Sequence, residues 1–102
     1  MFSIHPLVSI IIPNFNGSKT IKECLRAIFT SNYLNIEVIV VDDKSEDNSV
    51  EIIKQFPCRL VKLKKHSGAA VARNTGVNIS HGNLLFFTDA DCILEKNSVS
   101  ED

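Results

Sequence analysis

What most restricts the fold of this chain is a regular alternation of two kinds of segment. Val8-Ser-Ile-Ile-Ile12 is a β-branched run closed by Pro13, short and apolar enough for a buried strand. Asn16-Gly17-Ser18 makes a turn, with Ser18 placed to cap a helix. Ile21, Cys24, Leu25, Ile28 and Phe29 then recur at the spacing of one helix face, with Lys22, Glu23 and Arg26 off it. Glu37-Val-Ile-Val-Val41 is a second buried strand, ending in Asp42-Asp43. Ser45-Glu-Asp-Asn48 supplies turn and cap chemistry, with Asp47 as the cap, for a short helix through Val50, Ile53 and Gln55 that Pro57 breaks. Arg59-Leu-Val-Lys-Leu63 alternates apolar and polar, as a strand nearer the sheet edge does. Ser67-Gly68 opens a small-residue helix from Ala69 to about Ile79, stopped at His81-Gly82. Leu84-Leu-Phe-Phe87 is a fourth buried strand, closed by Thr88-Asp89-Ala90-Asp91.

Strands that are apolar on both faces and separated by helices imply a parallel sheet with helices on each side. The expected class is therefore α/β, a Rossmann-like parallel sheet in β-α-β-α-β-α-β order with right-handed crossovers. At 102 residues the chain fits one domain. The organised portion is expected over residues 1–94, followed by a frayed polar tail at 95–102 where the chain is expected to be truncated.

Composition matters for what it excludes. Eleven Lys+Arg against twelve Asp+Glu give a net charge of −1, which offers no electrostatic case for nucleic acid. The lysines at 62, 64 and 65 read as a solvated edge. No cationic leader or run of ~20 apolar residues occurs, so neither a secretory signal nor a membrane segment is expected. Cys24, Cys58 and Cys92 are odd in number, widely spaced and without a CxxC pattern, as suits reduced, structural cysteines in a cytoplasmic protein.

In an open parallel sheet, ligands bind beyond the carboxyl ends of the strands, and here those ends carry the polar chemistry. The first supplies Pro13, Asn14, Phe15 and Asn16, the second Asp42 and Asp43, and the fourth Asp89 and Asp91. Four carboxylates on one rim repel one another unless a divalent cation or ligand donors offset them. Asp89 and Asp91 flank a small residue just after a strand, so both can reach one hard cation such as Mg²⁺ or Mn²⁺, which take carboxylate, phosphate and water oxygens. Asp is also a common turn residue, and a lone DxD triplet is weakly specific. Arg73, one turn into the third helix, can face an anion at that helix N-terminus. His66 and His81 have no partner at ligand spacing and receive no role. GxGxxG and GxxxxGK[ST] do not occur, against a dinucleotide fingerprint or a P-loop.

In order and spacing, four segments resemble family 2 glycosyltransferases of the GT-A fold. They are Val8-Ser-Ile-Ile-Ile-Pro-Asn-Phe-Asn16, Val-Ile-Val-Val-Asp-Asp-Lys-Ser-Glu-Asp-Asn-Ser49, Gly68-Ala-Ala-Val-Ala-Arg-Asn-Thr-Gly76 and Phe87-Thr-Asp-Ala-Asp91. The resemblance runs from Val8 to about Leu94. It implies that Pro13, Asn14 and Phe15 line the nucleotide base and that Asp42 and Asp43 contact base and ribose, Asp43 being the base contact. It further implies Arg73 near the diphosphate, Asp89 by the ribose or sugar, and Asp91 as direct ligand of Mg or Mn. The implied substrate is a nucleotide-diphospho-sugar, a UDP-sugar foremost, in an inverting transfer on the inner side of the membrane or in the cytoplasm.

The sequence departs from the family pattern at Phe15, often Tyr, at Lys44, usually a small residue, and at Cys92, commonly polar. The family's general base, usually a later Asp, is expected beyond Asp102, the last residue given, so no residue is assigned to it. Two other readings are carried forward. One is a truncated, non-catalytic nucleotide-binding or self-associating module, a homo-oligomer through the last strand. The other is a receiver-like phosphoacceptor domain, suggested by Asp42, Asp43 and Asp89 but lacking that family's later Thr/Ser and Lys.

Overall fold

The computed structural model describes residues 6–31 and 35–89. The β-branched run at Val8–Asn14 (β1) forms the middle of a four-stranded sheet, hydrogen-bonded on one side to Ile36–Asp42 (β2) and on the other to Leu84–Phe87 (β4). Arg59–Lys62 (β3) lies outside β2, giving the order β3-β2-β1-β4, and every pairing is parallel. The α/β class and element order expected from the sequence are those observed.

Residues of β1 and β2 alternate between two cores, as a period of two requires. Ile10, Ile12, Val38 and Val40 meet Ile21, Cys24, Leu25 and Ile28 of helix α1 (Ile21–Phe29) and Ile53 of helix α2 (Ser49–Ile53). Ile11, Ile39 and Val41 point the other way, onto Ala72 of helix α3 (Ala69–Ile79). Each fully buried Ile or Leu is worth roughly 1.5–3 kcal/mol of transfer free energy, so the two-sided sheet is the main source of stability. The chain moves outward from β1 to β3 with α1 and α2 on one face, then returns to β4 with α3 on the other. Reversing direction and changing face together keep a single crossover hand.

β1 continues through Pro13 and Asn14, two residues beyond the expected strand. The reason is hydrogen-bond direction. The Ile11 carbonyl accepts from Thr88 N–H on the β4 side, and the Asn14 carbonyl accepts from Asp43 N–H on the β2 side. Pro13 therefore faces the side on which β4 has already ended, where no ladder donor is needed.

Ser18 does not cap α1. That position belongs to Thr20, and the Ser18 N–H instead donates to Asp47 Oδ2 at 3.0 Å. β3 is an edge strand, as its alternation implied. β4 departs from expectation: it occupies the other edge of the described sheet, with Leu84, Leu85 and Phe87 each 43–55% exposed rather than buried. An apolar run alone does not report how many neighbours a strand has.

At the amino ends of the strands, buried Ser9 donates its hydroxyl to Glu37 Oε2 (2.9 Å) and accepts the Gly82 N–H (2.8 Å). Glu37 also accepts the His81 N–H at 2.7 Å. Burial alone would raise the Glu37 carboxyl, but the bonds from His81 and Ser9 prevail and lower it. This cluster fixes the turn from α3 into β4.

Candidate functional site

Parallel pairing carries the carboxyl ends of β1, β2 and β4 to one rim. Asn14 pairs in register with Asp42, and Phe87 with Ile11, so continuing the β1–β4 ladder sets Asp89 level with Pro13. Chain direction reverses between β1 and β4, the kind of switch point at which open α/β sheets bind ligands. Neighbouring strands lie ~4.8 Å apart, so the β2 and β4 tips flank the β1 tip at roughly 10 Å from each other.

The first two tips are stapled by a buried polar network. Asn14 Nδ2 donates to Asp42 Oδ1 at 2.8 Å and to Ser49 Oγ at 2.9 Å. Asp42, 2% exposed, also accepts the Ser45 N–H (2.9 Å) and hydroxyl (2.6 Å). The Asn16 N–H donates to Ser45 Oγ, and Asn16 Oδ1 accepts the Glu46 N–H, each at 2.8 Å. Asp47 accepts the Ser49 hydroxyl and N–H as well as the Ser18 N–H. Burial pushes the Asp47 carboxyl up, but those bonds prevail and bring it down to about 2. Asn16 and Lys44 both sit in the left-handed region, at φ 54° and 61°. That conformation favours small or Asx residues, which gives a physical reason for the small residue usual at position 44.

Asp43 faces a different partner set. Its carboxylate accepts the N–H groups of Ser67 (Oδ1, 2.7 Å) and Gly68 (Oδ2, 2.9 Å) at the N-terminus of α3, where negative charge is favoured. Gly68, the N-cap, holds φ 99°, open to glycine and strained for other residues. His66 Nδ1 stands 2.9 Å from Asp43 Oδ2, and its ring lies on that of Phe15 with centroids 4.3 Å apart. Phe15 is half exposed. Arg73 is half-buried on α3, and its side chain makes no hydrogen bond or ion pair among the described residues.

Of the residues singled out from the sequence, Pro13, Asn14, Phe15, Asp42, Asp43 and Asp89 come to the one rim, with Arg73 on the helix that Asp43 caps. Two of the rim carboxylates do not face open solvent together: Asp42 turns into the buried network and Asp43 binds a helix end. Asp89 is exposed. Asp91, Cys92 and the polar tail to Asp102 lie outside the described residues, and so does the general base expected beyond Asp102. Among the described residues no three acidic, His or Cys side chains converge on a cation position. Sequence reasoning missed His66. The signal was topological, since the loop after β3 must reach the same rim as those after β1 and β2.

Comparison with known proteins agrees with this geometry. Residues 9–101 match the family model described as Glycosyl transferase family 2. The chain is 36% identical over 98 residues to glycosyltransferase GlyG of Streptococcus pneumoniae, covering 91% of this chain and 33% of GlyG. It is 39% identical over 99 residues to glycosyltransferase AglE of Haloferax volcanii, covering 90% of this chain and 33% of AglE. Among solved structures, S. aureus TarS 1-349 in complex with UDP-GlcNAc superposes with a TM-score of 0.89 at 26% identity, over 93% of this chain and 29% of that one. Mannosyltransferase PcManGT from Pyrobaculum calidifontis, in complex with GDP-Man and Mn²⁺, gives 0.89 at 27% identity, over 96% of this chain and 31% of that one. The chain thus spans about a third of the length of these relatives.

Proposed function

The chain belongs to glycosyl transferase family 2, and from that premise we propose that it supplies the donor-binding half of an enzyme moving a sugar from a nucleoside-diphospho-sugar to an acceptor hydroxyl. The observation that carries this reading is the shared rim: Phe15, Asp43 and Asp89 stand at adjacent strand ends around a topological switch point, with Arg73 on the helix beginning there.

Each group has a part that suits its chemistry. Phe15, half exposed, offers an aromatic ring for the base, with Pro13 and Asn14 shaping the wall beneath. Asp43 is held as an acceptor for a base N–H or ribose hydroxyl. Asp42, its carboxylate already taken up by Asn14 and Ser45, acts on the nucleotide through the position of the loop. Arg73 offers guanidinium donors to the diphosphate, and Asp89 addresses the ribose or sugar. Oxygen donors of the Asp89 and Asp91 type fit a hard divalent cation, Mg²⁺ or Mn²⁺. Bound there, the cation supplies Lewis-acid neutralisation of charge on the departing diphosphate. The donor is a UDP-sugar on this reading, drawn from the cytoplasmic pool, a setting in which the reduced thiols of Cys24 and Cys58 persist. The general base and acceptor site are assigned to no residue up to Asp102.

Calorimetry with UDP and Mn²⁺ tests the reading. Heat of binding is expected from the wild-type chain and its loss from Asp91→Ala; silence in the wild type, or unchanged affinity in the variant, counts against it. A second reading, self-association along β4, is favoured by the exposure of Leu84, Leu85 and Phe87 on an edge strand.

A further inference from the structure

The two features on which a base subsite rests, the ring of Phe15 and the carboxylate of Asp43, are both in contact with one side chain, which covers one side of the half-exposed Phe15 ring. The His66 ring lies 4.3 Å from the Phe15 ring, centroid to centroid, with 39° between their planes. The same imidazole places Nδ1 2.9 Å from Asp43 Oδ2. Aromatic rings in contact have centroids roughly 4.5–7 Å apart, so a base sandwiched between Phe15 and His66 would need them about 9 Å apart. The observed spacing admits nothing. The Asp43 side chain is only 4% exposed, its oxygens covered by the Ser67 and Gly68 N–H groups and by His66.

We infer that His66 sets the affinity of the base subsite: its ring occupies the place on Phe15 and at Asp43 that a nucleotide base takes, and it must swing out before the base can enter. This rests on the nucleotide reading of the preceding subsection. His66 is suited to movement. Its side chain is 56% exposed, and its ring is held by Phe15 and by Asp43, through the carboxylate and, at 3.3 Å, the backbone carbonyl. The cap on α3 does not depend on it, because Ser67 and Gly68 bind Asp43 through their own backbone N–H groups. The imidazole can therefore leave while Asp43 stays aligned, exposing an acceptor and an aromatic face in one motion.

The test is a pair of measurements on the 102-residue chain. In calorimetric titration with UDP and Mn²⁺, His66→Ala should bind about three- to tenfold more tightly than wild type, the size of one partly exposed contact removed from the competing closed state. Equal or weaker binding by His66→Ala overturns the inference. In proton NMR, the His66 ring resonances should be displaced by the Phe15 ring current in the free protein and lose that displacement when UDP is added. Resonances that keep their displacement at saturating UDP also overturn it. A wild-type chain that takes up no UDP would instead remove the nucleotide reading, and the inference with it.

Discussion

Asp42 and Asp43 are adjacent in sequence but answer to different demands. Asp42 satisfies Asn14 and Ser45 in the interior, and Asp43 satisfies the Ser67 and Gly68 N–H groups in the turn that leads into α3 at the rim. Asp42→Asn puts an amide donor among groups that are themselves donating, and leaving one buried donor unpaired costs about 1–3 kcal/mol. Urea melts should show that loss, with UDP affinity following only as far as the loop is disturbed. Asp43→Asn also weakens the α3 cap, but its distinguishing effect should be at least a tenfold loss of UDP affinity in calorimetry. Equal effects of the two substitutions on binding would contradict the division of labour. At Gly68 a Cβ would meet nothing within 4 Å, so the penalty of Gly68→Ala is purely that of φ 99°. Denaturant unfolding should register about 1–3 kcal/mol.

The elements are positioned by close approach and by charge at their ends. α3 lies so near the sheet at Gly76 that an added Cβ would sit 2.6 Å from Ile11 Cγ2. Gly76→Ala should therefore cost about 1–3 kcal/mol through overpacking, visible as a lowered melting temperature. Asp47 and Glu37 give the fold an acid limit. Both have folded-state values below their ordinary ones, Asp47 at about 2. The unfolded chain then takes up the proton first, so their stabilisation is complete above the ordinary carboxylate range and is lost as pH falls from about 4 toward 2. Melting temperature followed over that interval should fall steeply in the wild type and less steeply in Asp47→Asn; parallel curves would refute the assignment.

These elements were legible because runs such as Ile10-Ile11-Ile12 and Val38-Ile39-Val40-Val41 are apolar on both faces, a pattern that a buried parallel strand explains and an amphipathic helix does not. Their ends were less so: the continuation of β1 through Pro13 depends on where β4 stops, and the N-cap position falls at Thr20 rather than Ser18 because the Gly17 carbonyl accepts the Thr20 and Ile21 N–H groups and starts the helix two residues later.

Taken whole, the described residues form a parallel sheet with chemistry at the carboxyl ends of its strands and apolar surface on β4. The rim could be read in advance, since parallel strand direction carries Pro13–Phe15, Asp43 and Asp89 there together. The inward turn of Asp42 and the approach of His66 could not, because they depend on side-chain hydrogen bonding across loops about 25 residues apart, which spacing along the chain does not encode. The exposed β4 edge predicts concentration-dependent association of this chain in sedimentation experiments, reduced when Leu85→Lys places a charge on the strand.

The central claim, that the carboxyl rim binds a nucleotide diphosphate, is tested most directly by a crystal structure of the chain with UDP and Mn²⁺. The uracil ring is expected against Phe15, with Asp43 within hydrogen-bond distance of the nucleoside and the diphosphate toward Arg73. A nucleotide bound at the amino ends of the strands, beside Ser9, Glu37 and His81, would contradict it.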